Sequence, residues 1–326
     1  MRFKRLFMVC LLAAAIAPGT WLRSEVPPER PSLVKAIATL EAGHASAGPL
    51  VLDEAWEITG EGPLFGGFSA LLSLPDDRFV AGSDAGAKLI FTRPDRRGEP
   101  PRLDRFGGED DPDKYAVDLE SLTRDPESGR IWGGYEWYQA IRRFDSDFVV
   151  RGKVRPRAMA GWGNNSGAEA FVRLPDGRFL VIEERAADGD TGRHRALLFA
   201  SDPVEGAAVD RLFVTVPDGY RPVDMTQVDD RRIAVLLRKV EFGLPPRFIT
   251  GIALMDMADL APRAVVDLRL LAELGEGFPP ENYEGMAVTR DAGKTHLWLI
   301  SDDNFMHYQR TLLLKLRWQT REKARE

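Results

Sequence analysis

Gly67-Phe-Ser-Ala-Leu-Leu-Ser-Leu-Pro-Asp-Asp-Arg-Phe-Val-Ala-Gly-Ser-Asp84 reads as an apolar run, a Pro/Asp turn, a second apolar run and an acidic stop. The same phrase returns along the chain. Asp118-Leu-Glu120 leads through Asp125-Pro-Glu-Ser-Gly129 to Arg130-Ile-Trp-Gly-Gly-Tyr-Glu136, and Ala168-Glu169 leads through Pro175-Asp-Gly177 to Arg178-Phe-Leu-Val-Ile-Glu183-Glu184. Val223-Asp224 opens a fourth copy ending at Arg238-Lys239, and Tyr283-Glu284 opens a fifth ending at Ser301-Asp-Asp-Asn304. Aligned on Ser69, Glu120, Glu169, Asp224 and Glu284, the copies start 51, 49, 55 and 60 residues apart by subtraction. A repeat of roughly fifty residues is the signature of a propeller or a solenoid.

Each copy divides into short aliphatic and aromatic runs separated by turn residues, the pattern of strands rather than helices. After Asp84 come Lys88–Thr92 and Pro101–Phe106; the third copy continues with Arg195–Ala200 and Asp210–Val216, the fourth with Thr250–Asp256 and Ala264–Leu270. Four antiparallel strands per repeat make one blade. The sequence is therefore read as all-β, a β-propeller of five counted blades, with room for a sixth in the N-terminal segment or the long fourth copy. The last copy holds only three strands, ending at Arg310–Trp318. Leu50–Ile58 precedes the first copy and has no blade of its own, so it is the expected fourth strand that closes the ring.

Composition suits one soluble all-β domain. The chain has 326 residues, 44% hydrophobic, with 30 Gly and 22 Pro for turns. A net charge of -6 argues against a nucleic-acid partner, whose footprint is basic. Met1-Arg-Phe-Lys-Arg5, the apolar run Leu6–Ala17 and the small residues at Ala17-Pro-Gly19 read as a signal for export over residues 1–24, to the periplasm or outside the cell. Pro18 disturbs the cleavage site, so retention as an N-terminal membrane anchor is the alternative. Residues 25–49 read as a linker, in which Leu33, Ala36, Ile37 and Leu40 have helical spacing; 50–318 is the propeller and 319–326 a charged tail. The single cysteine, Cys10, lies inside the signal, which leaves the exported part without thiol or disulfide chemistry.

Phe65-Gly-Gly-Phe-Ser-Ala-Leu71, Ser83-Asp84-Ala-Gly86, Asp118-Leu-Glu120-Ser121, Asn165-Ser-Gly-Ala-Glu169, Arg221-Pro-Val-Asp224, Asn282-Tyr-Glu-Gly-Met-Ala287, Ser301-Asp-Asp-Asn304 and Gln309-Arg-Thr-Leu-Leu313 together resemble the bacterial phytase-like family, also called esterase-like activity of phytase. The resemblance runs from about Leu50 to Trp318. It implies a β-propeller, usually exported, with hydrolysis of phosphate esters proposed for the family, and it transfers no catalytic residue.

The residues nominate a site by position. Glu120, Glu169, Asp224 and Glu284 open the innermost strand of successive blades, so their side chains are expected to converge on the channel axis, where Ser69 adds a neutral oxygen. Gathered carboxylates repel one another, and a hard cation such as Ca²⁺, which takes six to eight oxygens, offsets the repulsion. The competing reading makes the same acids caps of turns or partners of a neighbouring blade's Arg or backbone N–H. A second row, Asp84, Glu136, Glu183, Asp302 and Asp303, ends the second strands and is expected at one mouth or in turns. Arg185, Arg221 and Arg310 adjoin the repeated motifs and are the candidates for holding an anionic substrate, because phosphoryl transfer needs cations where charge develops.

Other chemistries find little support. No Gly-x-Ser-x-Gly elbow exists for a serine esterase of the α/β-hydrolase type. His44, His194, His296 and His307 lack zinc spacing, and Glu109–Asp113 lacks the alternating ligands and Gly of an EF-hand. Two function classes follow: an exported, calcium-assisted hydrolase of phosphate esters or related small esters, or a non-catalytic propeller that binds a ligand or partner in the cell envelope.

Overall fold

The computed structural model describes residues 32–106, 118–163, 166–187, 192–243 and 246–319. The signal at 1–24, Glu109–Asp113, Asn165 and the tail from 320 onward lie outside the described residues. The chain enters on β1 (Leu33–Thr39), β2 (Ser46–Ala47) and β3 (Leu50–Glu61). Blade one is β4 (Phe68–Leu74), β5 (Arg78–Ser83), β6 (Ala87–Thr92) and β7 (Arg102–Arg105). Blade two is β8 (Leu119–Arg124), β9 (Ile131–Tyr135), β10 (Ala140–Phe144) and β11 (Val150–Val154). Blade three is β12 (Ala170–Arg173), β13 (Phe179–Ala186), β14 (Arg193–Phe199) and β15 (Val209–Thr215). Blade four begins with β16 (Arg221–Gln227), β17 (Arg232–Glu241) and β18 (Arg247–Asp256), followed by β19 (Val265–Asp267) and β20 (Arg269–Leu274). Blade five is β21 (Tyr283–Asp291), β22 (Lys294–Ser301) and β23 (Thr311–Trp318), completed by β3.

The described strands form five sheets, so the propeller has five blades. The ring closes as the sequence implies: β3 lies antiparallel to β23, from Thr311 opposite Ile58 to Trp318 opposite Leu50. Each blade presents one face to each neighbour, because successive side chains of a strand point to opposite faces. The apolar clusters accordingly sit between blades. Trp132, Phe171 and Phe179 fill the joint of blades two and three, and Phe79, Phe91 and Trp298 that of blades one and five.

Two segments differ from their expectation. The helical spacing within 33–40 gives no helix: Leu33–Thr39 is the strand β1, paired antiparallel with β3 from Leu33 opposite Glu61 to Thr39 opposite Trp56. An open strand edge offers a row of free N–H and C=O groups. That pairing outweighs a weak local pattern in which only Val34 and Ile37 are even half-buried. The run Ala264–Leu270, read as the fourth blade's outer strand, is divided instead. Val265–Asp267 joins blade three in parallel to β15, and the outer strand of blade four is β20, antiparallel to β18.

Candidate functional site

The repeated acids reach the axis through a repeated irregularity. In blade one Phe68 pairs with Ser83 and Ala70 with Gly82, so Ser69 is an extra, bulged residue. The same bulge leaves Glu120 between Leu119–Tyr135 and Ser121–Gly134, and Glu284 between Tyr283–Ser301 and Gly285–Ile300. Glu169 has the same offset, directly before Ala170, which pairs with Ile182. A bulge re-aims its side chain. Ser69, Glu120, Glu169 and Glu284 all line a cavity of about 480 Å³ at one mouth of the channel.

Blade four breaks the column. There Pro222 pairs with Leu237 and Asp224 with Leu236, so the bulged residue is Val223. Asp224 falls one place later, turned into the protein. Its carboxylate accepts the backbone N–H of Met225 at 2.8 Å and of Met286 at 2.6 Å, tying blade four to blade five. Asp224 is therefore the blade staple of the competing reading, and not a member of the axial acid set.

The residues that end the second strands form a second tier. By the same register Asp84, Glu136, Glu184, Arg238 and Asp302 occupy one position in blades one to five, and all five line the cavity. Glu183, singled out from the sequence, points the other way and holds Arg195 at 2.5 and 2.7 Å. Asp303 also turns from the mouth, accepting the N–H of Gly67 and Phe305 and the hydroxyl of Thr311. Gly67 is required there: at φ +64°, a Cβ would lie 2.2 Å from Asp84 Oδ1.

Eight carboxylates and two guanidiniums, Arg221 and Arg238, line the cavity. Arg238 stands among them, bonded to Glu184 at 2.8 Å and to Glu284, which Asn282 also holds at 2.9 Å. Arg221 reaches Glu184 at 3.3 Å. Burial and mutual repulsion hold Asp84, Glu120, Glu136, Glu169 and Asp302 toward their neutral forms. Burial, then Asp302 and Asp118, pushes Asp84 up to about 7. Burial and Asp118 push Glu136 to about 7, and burial pushes Asp302 to about 6. Glu120 and Glu169 are raised well above the carboxylate range by burial and neighbouring acids. Burial works against the charge of Arg238, and Glu169 and Glu184 outweigh it.

Among the described residues, Asp118, Glu120 and Glu136 form a close acid set, with one oxygen of each lying within 4.8 Å of the others. Oxygens ligating one Ca²⁺ at 2.3–2.6 Å are separated by up to about 5 Å, and a set made only of carboxylates suits a hard cation. The residues present thus fit calcium. Of the four acids nominated from sequence, Glu120 belongs to this set, Glu169 and Glu284 line the same cavity, and Asp224 lies apart. Asp118 and Glu136 were not in that nomination. Their adjacency follows from hairpin pairing, the N–H of Glu136 donating to the carbonyl of Asp118 at 3.0 Å. Of the nominated arginines, Arg221 lines the cavity, Arg310 is held by Glu281 at 2.9 Å, and Arg185 is exposed outside the cavity lining.

Five antiparallel blades around a carboxylate-lined channel mouth define an acidic five-bladed β-propeller. The chain belongs to the phytase-like family, described as esterase-like activity of phytase, whose signature spans residues 63–305. Among solved structures it is similar to the glutaminyl cyclase of Myxococcus xanthus, at 12% identity over 87% of this chain and 98% of that one, with a TM-score of 0.44. It is also similar to the dihydro-heme d1 dehydrogenase NirN in complex with DHE, at 14% identity over 89% and 68% of the two chains, with a TM-score of 0.38. Neither likeness bears on the chemistry of the cavity. No curated protein matches the sequence.

Proposed function

We propose that the protein is an exported, calcium-dependent hydrolase of phosphate esters or related small anionic esters, acting at the acidic mouth of the channel. The observation that carries this reading is the convergence of Asp118, Glu120 and Glu136 beside a cavity of about 480 Å³. Calcium, if bound, would be held by Asp118, Glu120 and Glu136 and would supply positive charge toward an anionic ester in this acidic cavity. Arg221 and Arg238, paired on the inner strands of blade four, orient the anionic group. Carboxyls held near 7, those of Asp84 and Glu136, exchange protons at neutral pH, which suits one of them, Asp84, to general acid–base work. Export rests on the charged and apolar pattern of residues 1–24, and places the site where a small soluble ester is its partner rather than nucleic acid.

The test has two arms. Calcium titrated into the metal-free protein is expected to raise Tm in a saturable way, and Glu120→Gln with Glu136→Gln to abolish the rise. A panel of phosphomonoesters, inositol hexakisphosphate and lactones, assayed with and without calcium, is expected to show calcium-dependent turnover that falls at least about a hundredfold in Asp84→Asn, the loss typical of a removed acid–base group. Absence of any calcium-induced shift removes the metal centre, and a shift without turnover of any ester leaves a calcium-binding, non-catalytic propeller.

A further inference from the structure

A second cavity, of about 430 Å³, opens between blades one and two, and none of its lining residues is shared with the acidic mouth. It is bounded by the outer strands and end turns of blade one and by the β8–β9 and β10–β11 turns of blade two. Its size falls within the range of small-molecule sites. Its charge is the reverse of the mouth's, with four cations against three carboxylates.

Lys88 is the central feature. The residue is only 9% exposed, and its ammonium sits 5.0 Å from the centre of the Phe148 ring. Its nearest carboxylate oxygen, on Asp104, is 3.7 Å away, beyond hydrogen-bond distance, and it makes no hydrogen bond among the described residues. Its aliphatic stem is buried while the ammonium opens onto the cleft, where an anion can supply the acceptor the protein does not. Arg78 repeats the situation: its Nε is buried without a partner, and its Nη2 stands 3.7 Å from Asp76. Arg124, half-buried at the end of β8, lines the same wall and has no carboxylate partner among the described residues. Leu74, Ile90 and Phe148 supply an apolar floor between these cations. Donors without acceptors beside an apolar surface are what an amphiphilic anion requires.

We propose that this interblade cleft binds a small organic anion, with Lys88 and Arg124 holding its carboxylate or phosphoryl oxygens and its hydrocarbon part lying on Leu74, Ile90 and Phe148. The site is independent of the acidic mouth and of any hydrolysis there. Phenylphosphonate, an anion with an apolar ring and no ester bond, serves as the probe, titrated calorimetrically into the full protein in chelator-treated buffer. One saturable site is expected, with affinity reduced at least about tenfold in Lys88→Met and in Arg124→Gln, the scale of one charge-assisted contact, and unchanged in the Glu120→Gln/Glu136→Gln variant. The half-exposed Arg124→Gln keeps the test open if Lys88→Met does not fold. The proposal is overturned by the absence of saturable binding up to about 10 mM, a free energy below about 3 kcal/mol. Equal affinity in Arg124→Gln and the unaltered protein overturns it too, as does loss of binding in the acidic-mouth variant, which would place the probe on the axis.

Discussion

Asp224 and Glu120 carry the same chemical group at matching points of two repeats, and one residue of strand offset gives them opposite work. Glu120 is the bulged residue of its blade and faces the cavity; Asp224 follows the bulge at Val223 and accepts two amides across a blade joint. Asp224→Ala leaves the N–H groups of Met225 and Met286 buried without acceptors, at about 1–3 kcal/mol each. A stability loss of about 2–6 kcal/mol is expected by chemical denaturation, with the calcium-induced rise in Tm expected under the proposed function retained; loss of that rise without loss of stability would return Asp224 to the axial set. Glu183 and Glu184 repeat the lesson within one strand. Period two sends the first to Arg195 and the second to Arg238 and Arg221.

At the scale of the elements, the joint that the two chain ends make is the point on which the ring depends. Trp56 of β3 stacks on Trp298 of β22 with centroids 5.6 Å apart, and both are buried. Arg93, beside them, pairs with Asp77 and Asp95 of blade one and Asp291 of blade five while lying over the Trp298 ring. Trp56→Ala opens a cavity under that hub. A cost of about 3–5 kcal/mol is expected, read as a lower denaturation midpoint, and a cost below about 1 kcal/mol would show that β3 docks without its core contact. This closure was legible in the sequence because Leu50–Ile58 has strand composition and no blade, while the last repeat lacks a strand. The blades were legible for the same local reason, apolar runs alternating with Pro, Asp and Gly turns. The bulge position was not, since Val223 and Asp224 differ only in which backbone pairing they skip. Nor was the transfer of Val265–Asp267 to blade three, or the addition of β1 to β3, because both are decided by which sheet edge lies open nearby. Arg238 escaped notice because it stands in a column that is otherwise acidic, and an alignment on acids passes over it.

The whole molecule carries a net charge of -6 and gathers eight carboxylates against two guanidiniums at one mouth, so its stability is tied to pH and to cations together. Asp84 has an ordinary value of 3.8 and Glu136 of 4.5, and both stand at about 7 in the fold; Asp302 moves from 3.8 to about 6. A group whose value is raised on folding favours the fold while protonated, and that contribution is lost as pH climbs from the unfolded value through the folded one. The metal-free protein is therefore expected to lose stability as pH rises from about 4 to about 7, with Glu120 and Glu169 pulling in the same direction. His194 and His296, lowered by burial, act oppositely as pH falls below their ordinary value of 6.5. They stand against the five acids of the mouth and against Glu183, Asp224 and Glu281, which burial also raises. Calcium, on the proposed function, would require the ionised carboxylates, and would bind weakly where the metal-free protein is most stable and tightly where repulsion is greatest. Tm followed from pH 5 to pH 8 in chelator should fall, and the gap between calcium-loaded and chelated samples should widen over the same interval. Glu136→Gln should flatten the chelated profile, because it removes one of the titrating groups while leaving both histidines in place. A chelated Tm that rises steadily through this range would mean that the acids at the mouth are ionised without penalty, and that no cation is needed to hold them together.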